Sequence, residues 1–306
     1  MGTHNNRLSG VFAALITPTD ESGTPDMGTL DKVVGFVVDH GVDGVVAGGG
    51  TGEYPHFTVA ERALMIAQVR KRLPGSGILI ASVGTSSIHT TIQLAQMAAD
   101  QGSDYLLVPM PYFFNYNQDD LAAFCERVCQ SVSLPCLLYN LPSFTTGLTV
   151  ETASRLLESV PNLVGIKDSS GDENNLSPLA ELRRRSPISV LIGDDSLLLP
   201  ALNAGWDGVI SGIACFMPDL IGSIYRLFRN GQKEEAAAQQ RVLDELIEKL
   251  VRMPIPWGVR IGLEIRGFPN GPLHQPVAES RKAAIADFQS WVRMWCDGSL
   301  RAMEAS

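Results

Sequence analysis

Residues Tyr105–Asn140, YLLVPMPYFFNYNQDDLAAFCERVCQSVSLPCLLYN, hold one full period of a pattern that recurs along the chain. YLLVP (Tyr105–Pro109) and CLLYN (Cys136–Asn140) are short and almost wholly apolar. Between them Leu121, Phe124, Cys125 and Val128 recur at helical spacing, which predicts an amphipathic helix over Gln118–Ser131. Neither flanking run alternates apolar with polar residues, so both read as strands covered on two faces, the condition of a parallel sheet wrapped by helices.

The same alternation extends in both directions. Further strands are predicted at Val11–Ile16, Gly44–Gly48, Ile78–Val83, Leu163–Lys167, Ile188–Gly193 and Gly208–Ser211, with helical patterns at Met27–His40, Val59–Leu73, Ile88–Gln101 and Val150–Val160. Thr58 stands before a helix with Glu61 three residues on, the pattern of a capping box, and Thr149 is placed similarly. DHGVDG, DQGSDY and NAGWDG each place a glycine where a helix exit needs a positive φ. Strands and helices alternating over roughly 210 residues have the rhythm of a (β/α)8 TIM barrel. In a doubly wound nucleotide fold the first turn would carry a glycine fingerprint, and ITPTDESGTPD (Ile16–Asp26) lacks it. Beyond Ser211 only helical patterns follow: Pro218–Phe228, Lys233–Arg252, Trp257–Arg266 and Pro276–Cys296. We expect a barrel over residues 1–230 and a C-terminal helical extension over 231–306, packed on it.

Composition narrows the function. The chain has 306 residues, is 45% hydrophobic and carries a net charge of −9, which suits a large core and does not favour nucleic acid or anionic lipid. Arg183, Arg184 and Arg185 read as a solvated helix end. The polar start MGTHNNRLSG has no signal-peptide core and no uncharged run reaches membrane length, so a soluble, cytoplasmic protein is expected. The five cysteines are too few for a disulfide framework and lack zinc-site spacing; Cys125 and Cys129 belong to the apolar helix stripe. No histidines pair at ligand spacing.

In a closed barrel, polar residues at the C-terminal strand ends face a common mouth. Lys167, in NLVGIKD (Asn162–Asp168), is the only lysine at such an end. Period-two alternation places it on one face with Gly165, opposite Val164 and Ile166, and Gly165 would leave room for it. Desolvation by apolar neighbours favours a free amine, the form that attacks a ketone; a structural ion pair or a rim lysine are the alternatives. Tyr139, at the neighbouring strand end, is a proton shuttle or a core tyrosine with its hydroxyl satisfied locally. Gly48-Gly49-Gly50-Thr51-Gly52 permits close backbone approach to an anion, and a carboxylate fits better than phosphate because Glu53 follows. Asp194 and Asp195 read as helix caps, with a hard-metal site as the alternative.

In GGTGEY (Gly49–Tyr54), YNLPS (Tyr139–Ser143), GIKDSSGD (Gly165–Asp172) and GDD (Gly193–Asp195), in that order, the chain resembles the dihydrodipicolinate synthase/N-acetylneuraminate lyase family of class I Schiff-base aldolases and dehydratases. The likeness runs from about Leu8 into the C-terminal helices. It implies that Lys167 condenses with pyruvate or a related 2-oxo acid and that Tyr139 donates and accepts protons. It further implies that Gly50 and Thr51 hold the substrate carboxylate, with Gly193 and Ile210 lining the pocket. Neither metal nor cofactor is implied, and members are homotetramers built as dimers of dimers.

Three positions depart from true dihydrodipicolinate synthases. Gly50 stands where a hydroxyl residue of a tyrosine relay is usual, Phe113 replaces the second relay tyrosine, with Tyr112 and Tyr116 nearby, and Phe144 replaces an arginine that holds aspartate semialdehyde. Losing that charged anchor disfavours an anionic partner. GGTGE with glycine before threonine is similar to the sugar-acid dehydratases, while Phe113, Phe114 and Phe144 suit an apolar or aromatic aldehyde. The expected activity is a Schiff-base lyase, aldolase or dehydratase, on a 2-oxo acid or deoxy sugar acid. The alternatives are 4-hydroxy-tetrahydrodipicolinate synthase, a non-catalytic 2-oxo-acid-binding barrel, and a magnesium-dependent aldolase using Asp194 and Asp195.

Overall fold

The apolar runs pair edge to edge in chain order in the computed structural model, which describes residues 7–304. The strands are β1 (Gly10–Ala14), β2 (Gly44–Ala47), β3 (Ile78–Ser82), β4 (Tyr105–Pro109), β5 (Cys136–Asn140), β6 (Leu163–Asp168), β7 (Ser189–Ile192) and β8 (Gly208–Ser211). All pairs are parallel, and β8 returns to β1, closing the barrel. The seam is made of glycine: a Cβ on Gly208 would lie 2.7 Å from the Gly10 nitrogen, so only a bare residue lets the two strands meet.

Around the barrel lie α1 (Met27–Asp39), α2 (Val59–Arg72), α3 (Ile88–Asp100), α4 (Gln118–Cys129), α5 (Val150–Ser159), α6 (Leu176–Arg185), α7 (Leu198–Ala204) and α8 (Pro218–Arg229). The expected caps form: Thr58 and Glu61 make a full capping box, and Thr149 accepts from the Thr152 amide. Gly41, Gly102 and Gly205 all have positive φ at helix exits. Helix α6 and the short α7 were not separately expected.

Two apolar layers follow from strand alternation. Phe12, Val46, Ile80, Leu107, Leu137, Leu191 and Ile210 fill the barrel interior, while Val11, Val45, Leu79, Leu106, Leu138, Ile166 and Val209 face the helices. Val164 corrects the simple alternation. The pairing of β5 with β6 slips between Cys136↔Leu163 and Leu137↔Gly165, and Val164 packs against the interior layer instead of facing outward.

At the opposite end from the mouth, Asp207 precedes β8 and is buried. Its carboxylate meets Arg183 at 2.7 Å and Arg7 at 3.2 Å, and accepts from the Val190 amide. Arg183 is therefore a structural clamp, not merely part of a solvated helix end; Arg184 and Arg185 pair with Glu181 on the surface.

Three more helices follow: α9 (Lys233–Leu250), α10 (Trp257–Ile265) and α11 (Glu279–Glu304). Helix α11 starts later and ends later than Pro276–Cys296, because the turn-rich segment before Glu279 delays it and only Gly298 weakens it beyond Cys296. The polar start, residues 1–6 with His4, lies outside the described residues. Among the described residues no helix is long and apolar enough to cross a membrane.

Candidate active site

Register brings the first two candidate residues together. Strands β5 and β6 pair with Tyr139 opposite Lys167 and Asn140 opposite Asp168. Lys167 is 5% exposed, and its Nζ sits 4.3 Å from the centre of the Tyr139 ring. An ammonium there gains from the ring face, and a neutral amine there is sheltered from bulk water.

The room for this lysine comes from a different glycine than expected. A Cβ on Gly193 would lie 2.5 Å from Lys167 Cε and collide with Ser169 Oγ, so the bare backbone of the β7 end lets the side chain pass. Gly165 answers to other neighbours: its Cβ would strike the Ser189 carbonyl and lie 3.0 Å from Leu137 Cδ2.

A polar clamp backs the pair. The Asp168 carboxylate, 2% exposed, accepts from Asn140 Nδ2 at 2.9 Å, the Ser170 amide and hydroxyl at 3.0 and 3.1 Å, and Asn175 Nδ2 at 3.1 Å. Asn140 Oδ1 accepts in turn from the Leu148 amide. The residues immediately after Tyr139 and Lys167 are thus joined, which fixes both strand ends.

The glycine-rich loop crosses the mouth from β2. Gly48 has φ +66°, a turn that glycine makes at no steric cost. The position of a Gly50 Cβ would be 3.8 Å from Tyr139 Oη, and that of a Gly212 Cβ 2.9 Å from Thr51 Oγ1. Gly50 therefore lies beside the tyrosine hydroxyl and Thr51 against the end of β8, just above the buried Ile210. Gly50, Thr51, Tyr139, Lys167, Gly193 and Ile210 converge on one mouth. Glu53 does not face it: the side chain turns away to meet Arg260, 207 residues later, at 2.8 Å.

On the β7 side, Asp194 caps the following turn through Ser196, as expected. Asp195 does something else. Its Oδ1 is sealed from solvent without a partner. Burial pushes its carboxyl up to about 7, partly opposed by the Ser211 hydroxyl and by the charge of Lys167. The unfolded carboxyl titrates near 3.8, so between that value and about 7 the folded chain keeps a proton that the unfolded chain has lost. This contribution to stability is complete below the unfolded value and disappears as pH rises through about 7. Asp195→Asn should raise the thermal midpoint at pH 8 relative to the parent chain, and do much less near pH 4. Equal midpoints at pH 8 would show that the acid is not held out of water.

On the β2–β4 side, Arg62 is buried. It donates to the Ser82 and Gly84 carbonyls at 2.8 and 2.7 Å, and its guanidinium carbon lies 4.9 Å from the centre of the Tyr54 ring. Tyr54 packs edge-on against Tyr112 at 5.8 Å. Tyr112 is thus half-buried inside the rim, whereas Phe113, with φ +85°, is 84% exposed. Phe114 and Phe144 are exposed beside the mouth. All five cysteines are buried and free, and among the described residues no cluster of His, Cys, Asp and Glu could hold a metal ion.

Sequence reasoning missed Arg260, Arg62 and the buried state of Asp195. Arginines on amphipathic helices carry no local mark of burial, and a second aspartate after a cap looks like a helix start.

The chain is similar to known proteins over most of its length. The model of the dihydrodipicolinate synthetase family matches residues 7–294. The chain is 34% identical over 273 residues to 4-hydroxy-tetrahydrodipicolinate synthase 1 of Halalkalibacterium halodurans, covering 88% of this chain and 91% of that one. It is 30% identical over 299 residues to the N-acetylneuraminate lyase of Rhizobium meliloti, covering 96% and 99%. Among solved structures, the 4-hydroxy-tetrahydrodipicolinate synthase of Methylacidiphilum fumariolicum SolV superposes with a TM-score of 0.88 at 28% identity, covering 98% and 99%.

Proposed function

The chain belongs to the dihydrodipicolinate synthetase family, and from that premise we propose that Lys167 is the amine that bonds to its substrate. The protein is a Schiff-base-forming lyase of the aldolase type that acts on pyruvate-like 2-oxo acids. The observation that supports this role for Lys167 is its nitrogen, nearly sealed from water, 4.3 Å from the ring of Tyr139 at the adjoining strand end.

In this reading the Lys167 amine attacks C2 of the 2-oxo acid to give a carbinolamine. Loss of water leaves a protonated imine. When the C3–C4 bond breaks, its electron pair moves to C3 as an enamine, with the imine nitrogen as the sink, while the C4 hydroxyl gives its proton to a base and departs as an aldehyde. Tyr139, beside the amine, accepts and returns that proton. The amides of Gly50 and Thr51 and the Thr51 hydroxyl hold the C1 carboxylate, and Gly193 and Ile210 line the pocket around C2 and C3.

For the second substrate we favour an uncharged partner, an apolar aldehyde or the neutral hydroxylated end of a deoxy sugar acid. Phe144, Phe113 and Phe114 make an apolar rim, and Gly50 puts no side chain between the Tyr139 hydroxyl and a substituent at C4. Condensation with aspartate semialdehyde is the second reading, favoured by the likeness to proteins named 4-hydroxy-tetrahydrodipicolinate synthase. From the likeness to the family we read the working form as a cytoplasmic homo-oligomer, a tetramer built as a dimer of dimers.

Incubation with pyruvate and borohydride, followed by digestion, should place a three-carbon adduct on Lys167. An adduct elsewhere, or none with any 2-oxo acid, overturns the reading. Comparing aspartate semialdehyde, N-acetylneuraminate, 2-oxo-3-deoxy sugar acids and aromatic aldehydes then decides the partner. Labelling with no product from any of them marks a binding barrel.

A further inference from the structure

We infer that Arg260, in the C-terminal extension, is a positioning residue for the 2-oxo acid: it acts through Glu53 to hold the Gly50–Thr51 loop in its binding geometry. The inference rests on the reading that this loop holds the substrate carboxylate.

The starting point is backbone strain. Glu53 has φ +54°, the left-handed region that a residue with a side chain occupies only when its surroundings hold it there. Its amide donates to the Gly50 carbonyl at 3.0 Å, closing a turn over Gly50, Thr51 and Gly52. The Thr17 hydroxyl donates to the Gly52 carbonyl at 2.8 Å. The conformation of Glu53 therefore sets where the Gly50 and Thr51 amides point, and what holds Glu53 holds the loop.

That anchor is Arg260 on α10. It is 1% exposed, and its Nη1 donates to Glu53 Oε2 at 2.8 Å. The guanidinium also donates to the Thr17 carbonyl at 3.3 Å, to the Gly271 and Pro272 carbonyls at 3.2 and 3.0 Å, and to the Asn270 carbonyl. Asn270 returns a bond from its side-chain amide to the Arg260 carbonyl at 2.8 Å, and its own carbonyl accepts from the Thr19 amide at 3.2 Å. One planar cation thus joins the loop after β1, the loop after β2 and the segment after α10. A lysine ammonium lacks the fork needed to serve so many acceptors at once.

His274 approaches the same Glu53 oxygen at 3.7 Å, with no hydrogen-bond partner at Nε2. Its imidazole is held below the usual histidine range, first by burial, so it adds no second cation near neutrality. Arg260 is the charge that compensates the buried carboxylate, and releasing it lets Glu53 leave its strained φ and carry the loop with it.

The test is saturation of imine trapping. Glu53→Gln and Arg260→Lys are titrated with pyruvate in the presence of borohydride, with thermal unfolding measured in parallel and trapping carried out below each midpoint. Half-saturating pyruvate should rise at least about tenfold in Glu53→Gln, and in Arg260→Lys to a value between that and the parent, with the limiting trapping rate changed by less than about threefold. Glu53→Gln is nearly isosteric and keeps one hydrogen bond, so it reports even if Arg260→Lys fails to fold. A lowered midpoint with unchanged half-saturation overturns the inference and leaves a purely structural ion pair. If the parent chain itself is not trapped by pyruvate, the reading of the loop fails first and this inference falls with it.

Discussion

With methionine in place of Lys167, turnover falls on the order of 10⁴-fold or more, and pyruvate with borohydride no longer adds mass to the chain. The size of the effect follows from the chemistry. An imine needs a nitrogen bonded to C2, and the neighbouring side chains offer a phenol, hydroxyls and carboxylates but no second amine. The stability readout moves differently. Methionine approximates the length of lysine, fits the corridor left open by Gly193, and puts an apolar thioether in place of a polar nitrogen at a site only 5% exposed. The unfolding midpoint should hold or rise. A variant that stays folded yet keeps its turnover would remove Lys167 from the chemistry altogether.

Tyr139→Phe should lower turnover by about 10²–10⁴-fold, the range for loss of a positioned proton donor and acceptor. Phenylalanine keeps the ring that Lys167 Nζ faces at 4.3 Å and the packing in the barrel interior, so only the hydroxyl is lost. Lys167 should still be labelled after long incubation with pyruvate, because the amine and its pocket persist. Steady-state turnover with the second substrate and the extent of labelling, measured side by side, separate the two roles. Turnover within a few-fold of the parent would return Tyr139 to the alternative of a core tyrosine.

Much of the barrel was legible because its determinants are local. YLLVP, CLLYN and GVIS appear as strands at their expected limits, since a run buried on both faces needs no partner to be recognised. Helix α2 begins where Thr58 and Glu61 cap it. Lys167 and Tyr139 were found through their shared position at strand ends, a property of the barrel's geometry. The likeness to a known family decided between the roles the residues left open for them, and supplied the role of Gly193.

What stayed hidden depended on contacts across long stretches of chain. The slip between β5 and β6 that turns Val164 inward arises from how two strands meet. Gly193, not Gly165, makes the room for Lys167, because only packing shows which atoms crowd each Cβ. Arg183 and Arg260 are both arginines on amphipathic helices; one clamps Asp207 at the closed end, the other lies buried beneath the mouth. Glu53 was legible as a negative charge near an anion site, but the cation that turns it away is 207 residues downstream.

That separation bears on the order in which the protein is made. A ribosome would synthesise all eight strands before Arg260, so the β2 loop of the emerging chain would still lack the guanidinium that restrains it. The entrance would become competent only when the last quarter of the polypeptide docked, which makes the tail an assembly checkpoint as well as a buttress. Exchanging tails between homologous barrels would for the same reason transplant a determinant of ligand affinity along with the helices.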